Sequence, residues 1–184
     1  LEVARRLGEV GIVGMGIDLP LQGSRPGSDT AGDLQHFNIV NPTSARTNFR
    51  QGAADALFLA HALADRTWTL SSGGIPILRT DPERIMLMGH SQGGLHAALA
   101  APFIGADASA VVLSGTGGEL AITILERKDP FDWAALVSSL LALGAGEDLT
   151  PLHPAIGLVQ TLVDVTDPVN YAPYWSSVRG PWPG

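Results

Sequence analysis

The six residues Gly89-His90-Ser91-Gln92-Gly93-Gly94 constrain this chain more than any others. They satisfy G-x-S-x-G, follow the short apolar run Ile85-Met86-Leu87-Met88, and open a segment dense in Ala and Gly from Gly93 to Ala101. A serine between a strand and a helix sits on a sharp turn with strained backbone, and glycines two before and two after it avoid side-chain clashes. The turn also puts Ser91 at a helix N-terminus. There the Gln92 N–H donates to a developing oxyanion and the helix dipole favours negative charge. The chain holds 22 glycines, so the pattern alone arises readily by chance. Its place between an apolar run and a small-residue helix is what lifts it above an ordinary Gly-Ser turn.

Around this motif the sequence alternates short apolar β-type runs with helical segments, which argues an α/β fold. Val10 to Ile17 is continuous, β-branched and glycine-containing, and is expected to form a first, buried parallel strand. Ile85 to Met88 is the second and Ala108 to Leu113 the third. Leu1 to Leu7 reads as a helix already in progress. Gln22 to Asn41 is polar and long, a surface excursion. Asn41-Pro42 supplies an N-cap and a first helical position, and Phe49, Ala53, Ala56, Leu57, Ala60 and Leu63 then recur at helical spacing. Ser71 to Gly74 reads as a loop. After Ser114 to Gly118 the β-signal stops: one helix starts at Asp129-Pro130, with Trp133, Leu136, Val137, Leu140 and Leu141 on one face and Gly144 at its end. Another starts at Pro154, with Ile156, Val159 and Val163 on one side. The Trp133 face suits either a core or a lipid-facing surface. Pro168 to Gly184 has no periodicity.

Composition narrows the chemistry. With 11 Lys+Arg against 18 Asp+Glu the formal net charge is -7, which excludes a basic nucleic-acid clamp. There is no cysteine, hence no disulfide, no zinc-thiolate site and no cysteine nucleophile. At 45% hydrophobic and 16% charged residues the chain can build a core. The longest apolar stretch, Leu95 to Leu113, is broken by His96, Pro102, Gly105 and Asp107, so no transmembrane segment is expected. Neither G-x-x-x-x-G-K-[ST] nor H-E-x-x-H occurs, and Gly11-Ile12-Val13-Gly14-Met15-Gly16 runs in the wrong order for G-x-G-x-x-G. No cofactor and no metal is expected.

At the Gly89–Gly94 motif the sequence resembles the serine α/β-hydrolase superfamily. Asp18-Leu19-Pro20-Leu21-Gln22-Gly23-Ser24 is similar to the loop after that family's fourth strand, and Asp81-Pro82-Glu83-Arg84-Ile85 to the lead-in to its fifth. Arg46-Thr47-Asn48-Phe49-Arg50-Gln51 with Asp55, and Asp167-Pro168-Val169-Asn170-Tyr171-Ala172-Pro173, are similar to bacterial lipase-like and lysophospholipase-like members, many of them exported. The resemblance implies a partial α/β-hydrolase fold, with a parallel sheet flanked by helices and a helical cap after the third visible strand. It divides the chain into a partial core, residues 1–118, and a cap region, residues 119–184. It implies an extracellular or cell-envelope setting. On this alignment the chain is a fragment: the triad histidine, the usual acid and the second oxyanion donor fall outside it, and residues 1–184 alone are expected to be inactive.

The activity implied is hydrolysis of a small-molecule or lipid carboxylic ester through an acyl-enzyme on Ser91, with Gln92 as backbone oxyanion donor. A serine in place of an aspartate at the turn argues against a dehalogenase or epoxide hydrolase. An acyltransferase or peptidase using the same nucleophile, and a non-catalytic hydrolase-like binding domain, stay open. Some relatives place the triad acid after the sixth strand, and Glu119 is the first carboxylate there. His90 is a packing or pocket residue. His96 packs, and His36 and His61 are structural or exposed. His153 caps a helix or lines an acyl pocket, the cap being the plainer reading. Asp164 and Asp167 are explained by a helix end and an Asp-Pro turn, and Asp18 by its loop.

Overall fold

The computed structural model describes residues 2–25, 33–38, 40–73, 75–128, 132–144 and 146–176. In chain order the elements are α1 (Glu2–Glu9), α2 (Asp33–Phe37), α3 (Pro42–Ala64), β1 (Thr69–Ser72), β2 (Ile75–Arg79), β3 (Met86–His90), α4 (Gln92–Ala100), β4 (Ala110–Ser114), α5 (Leu120–Glu126), α6 (Trp133–Leu140) and α7 (Pro154–Val163). Short 3-10 turns follow α4 and α7.

The long helix α3 begins where its sequence sets it. Asn41 Oδ1 accepts the Ser44 N–H at 3.1 Å, and Pro42 occupies the first turn, where a missing N–H goes unnoticed. Ala45, Phe49, Gly52, Ala53 and Ala60 form its buried stripe. Against it lies α4, buried from Gly94 to Ala100, so two small-residue faces meet closely. Ala53, Leu99 and Ala100 are the centre of this core, with Ala56, Leu57, Leu87 and Tyr171 around them.

Strands β3 and β4 pair in parallel, Met86 opposite Ala110 through His90 opposite Ser114, and the crossover between them runs through α4. The architecture is thus broadly α/β, a small parallel sheet flanked by helices. One face of the sheet, with Leu87 and Gly89, meets the helices. The other leaves Met86, Met88 and Val112 each nearly half exposed. A second cluster, Ala121, Leu125 and Ile156 with Leu149, joins α5 to α7, and α7 in turn packs on α3. Trp175 Nε1 donates to the Ala98 carbonyl at 2.9 Å, so residues on either side of position 118 share contacts.

Four expectations need correction. Val10 to Ile17 forms no strand: Val10 is 72% exposed, and Val13, Met15 and Ile17 are exposed as well. A β-branched apolar run suits a strand but becomes one only when a neighbour takes its backbone hydrogen bonds, and among the described residues none pairs with it. Ser71 to Gly74 is no plain loop. Ser71 and Ser72 belong to an antiparallel pair in which Ser72 pairs with Ile75, and Gly73 takes a positive φ of 56°, while Gly74 lies outside the described residues. The polar excursion before α3 contains α2, whose His36 is wholly buried. The Trp133 helix has Trp133 and Val137 inside but Leu140 and Leu141 about half exposed. Its expected start at Asp129-Pro130 lies outside the described residues; Asp132 caps α6, accepting the Ala135 N–H at 2.9 Å. Among the described residues no helix is long and apolar enough to cross a membrane.

Candidate active site

Ser91 joins β3 to α4, and its backbone adopts φ 53° and ψ -119°. A non-glycine residue held there carries strain on the order of 1–3 kcal/mol, sustained by the structure around it. That support is visible. The Ser91 N–H donates to the Ser114 carbonyl at 2.9 Å, anchoring the turn to the end of β4. A methyl group on Gly89 would lie 2.3 Å from the Gly93 carbonyl oxygen and 2.7 Å from Ala97 Cβ. One on Gly94 would lie 2.2 Å from Thr116 Oγ1. Gly93, the second glycine of the motif, would meet nothing within 4 Å, so the steric demand falls on positions 89 and 94 and not on 93.

Ser91 is the N-cap of α4 yet its side chain makes no capping bond, which leaves Oγ for other work. Gln92 is the first residue of the helix, and an N–H in that position has no acceptor within its own helix. The Ser91 Oγ accepts a hydrogen bond from Arg127 Nη2 at 2.9 Å. Arg127 immediately follows α5 and is half-buried. Nothing in the sequence marked it, because the contact spans 36 residues.

Arg127 also lines a cavity of about 80 Å³ whose walls include Phe37, Phe49, Leu95, Trp133 and Arg46. The surface of that cavity is overwhelmingly apolar. Leu95, one turn along α4 from Ser91, and Arg127 together connect it to the serine.

All five histidines are described, and none bonds to Ser91. His90 is exposed, its Nδ1 hydrogen-bonded to Ser114 Oγ at 3.1 Å. His96 Nδ1 donates to the Phe49 carbonyl at 3.1 Å and His36 Nδ1 to the Pro20 carbonyl at 2.9 Å, both deep inside. Their rings meet edge to face at 5.1 Å. Burial lowers both imidazole pKa values, that of His96 to about 4, with the neighbouring His36 adding to the effect. His61 contacts Asp107 at the surface. His153 caps α7, its Nδ1 accepting the Ala155 N–H at 3.2 Å, and it takes no part in the cavity wall.

Glu119 is exposed, in the left-handed region at φ 51°. Among the described residues no histidine bonds to its carboxylate. Its backbone explains its conformation: the Glu119 N–H donates to Asp167 Oδ1 at 2.9 Å and the Leu120 N–H to Oδ2 at 2.7 Å. Asp167, fully buried, also accepts Gln160 Nε2 at 2.8 Å and the Val169 N–H at 3.0 Å. It therefore caps α5 from 47 residues away as well as its own Asp-Pro turn. Asp18 has a local structural role, accepting both the N–H and the hydroxyl of Ser24, and the Ser24 N–H holds its carboxyl below the usual range. Among the described residues no three His, Cys, Asp or Glu side chains come together as a metal site.

Comparison with family models, with curated proteins and with solved structures returned no match.

Proposed function

We propose that this chain carries the nucleophile of a serine hydrolase acting on carboxylic esters, within part of an α/β-hydrolase fold. The observation that supports it is the backbone of Ser91, a non-glycine residue at φ 53° and ψ -119° between a parallel strand and a buried helix. Strain of this kind has a use when it presents a hydroxyl at the mouth of a site.

On this reading Ser91 Oγ attacks the ester carbonyl, forming the Oγ–C bond while its proton passes to a base. The Gln92 N–H and the α4 dipole stabilise the oxyanion. The tetrahedral intermediate collapses with loss of the alcohol, and water then releases the acid from the acyl-enzyme. None of the chain's five histidines bonds to Ser91, so none of them stands as the base in this arrangement. An alternative draws on the same observation: a hydrolase-like domain that binds an ester without cleaving it.

The test is labelling of the full-length protein with a fluorophosphonate, the modified residue being located by mass spectrometry. Labelling at Ser91, lost in Ser91→Ala together with ester hydrolysis, is the expected result. An unlabelled Ser91, or hydrolysis that survives Ser91→Ala, would overturn the reading.

A further inference from the structure

Two arginines, Arg46 from α3 and Arg127 from the end of α5, are among the residues lining a cavity otherwise walled by rings and aliphatic side chains. Both are half-buried, and a cation set beside apolar surface loses part of its hydration. An anion brought to it is held more strongly than in open water. Arg127 is the link to the chemistry, because its Nη2 lies 2.9 Å from Ser91 Oγ while the same side chain forms part of the cavity wall. A group that binds this guanidinium must therefore lie within a few bonds of the carbonyl under attack. The cavity itself, walled by Phe37, Phe49, Leu95 and Trp133, accepts an uncharged, apolar arm of the substrate.

Resting on the assignment of Ser91 as nucleophile, we infer that the substrate is an ester of an apolar acid whose alcohol side carries an anionic group, carboxylate or phosphate, read by Arg127 with Arg46. The apolar acyl chain fills the cavity. The anion takes over the Arg127 hydrogen bond now made to Ser91 Oγ, which frees the hydroxyl for attack. Arg127 is then a specificity-determining residue that touches substrate.

Three hexanoyl esters test this with the full-length protein: those of glycolate, of 2-phosphoethanol and of ethanol, hexanoate release being followed for each. The anionic esters are expected to exceed the ethyl ester in kcat/KM by about 10- to 100-fold, the worth of a hydrogen bond between charged groups. Whichever of the two is faster identifies the anion. Arg127→Gln brings the ratio of anionic to neutral ester close to one, Arg127→Lys restores part of it, and Arg46→Gln lowers it less. A wild-type ratio at or below one, or a ratio unmoved in both glutamine variants, overturns the inference while leaving Ser91 as nucleophile. Absence of hydrolysis of all three esters, with Ser91 unlabelled, overturns the assignment of the nucleophile and this inference with it.

Discussion

Ser91 holds a strained backbone conformation, and on the proposed reading that strain serves the nucleophile. Its φ of 53° suits glycine, and every other residue pays strain to adopt it. Replacing it tests this directly if two variants that both lack the hydroxyl are compared. Ser91→Gly is expected to be more stable than Ser91→Ala by about 1–2 kcal/mol in chemical denaturation, since alanine keeps the strain and glycine does not. Equal stability of the two would mean that the turn is relaxed and the backbone argument for a nucleophile has lost its basis. The opposite logic holds at Gly52, inside α3, where glycine costs a helix about 1 kcal/mol relative to alanine. There the cost is required, because a methyl group would lie 2.5 Å from Nδ1 of the buried His96.

At the scale of elements, Asp167 decides where α5 begins and thus where Arg127 stands. Its carboxylate takes the Glu119 and Leu120 N–H groups at the helix N-terminus, where negative charge also suits the dipole. Asp167→Ala leaves those donors and Gln160 without their acceptor in a buried place. The expected loss is about 2–4 kcal/mol in urea unfolding and, on the proposed function, weaker ester hydrolysis as the Arg127 end of α5 loosens. A variant as stable as the wild type would show that α5 is held by the Ala121–Leu125–Ile156 packing alone. Much of the element pattern was legible: the Asn41-Pro42 start of α3, the apolar runs of β3 and β4, and the strand-serine-helix order all follow from local sequence. The hairpin β1–β2 reads locally as a loop, although a Ser-Gly-Gly segment between apolar residues is also a hairpin signal. What local reading could not reach were pairings across the chain. Val10 to Ile17 has strand composition without a partner strand among the described residues, and Asp167 and Arg127 act over 47 and 36 residues. Of the candidate site, Ser91 and the first N–H of α4 were visible in the motif, whereas the cavity and its two arginines exist only once α2, α3, α5 and α6 are assembled.

The molecule as a whole is fastened around two uncharged imidazoles. His36 from α2, Phe49 from α3 and His96 from α4 meet at ring-centroid distances of 5.0–5.1 Å, Phe49 stacked on His96 and His36 edge-on to both, and each histidine bonds a backbone carbonyl through Nδ1. Among the described residues Nε2 of both has no partner, so neither position is built to hold a second proton. Burial lowers the folded-state pKa of His96 from 6.5 to about 4 and that of His36 in the same direction. The unfolded chain therefore binds more protons than the folded one between these values. The resulting stability is fully present above pH 6.5 and is lost as the pH falls toward 4, by an amount on the order of 3 kcal/mol for His96. The carboxylates of Glu2, Asp18 and Asp132 are also lowered, through hydrogen bonds to Arg5, Ser24 and Ala135 respectively, but they start from 4.5 or below and act at more acid pH. The interval from pH 6.5 to about 5 thus reports chiefly on the histidines. Urea unfolding across it is expected to show a steady fall in stability that flattens in His96→Phe, a ring of similar shape that cannot titrate. If the wild-type curve is flat there, or if His96→Phe keeps the full slope, the pair does not govern the acid response and the charge must enter elsewhere in the fold.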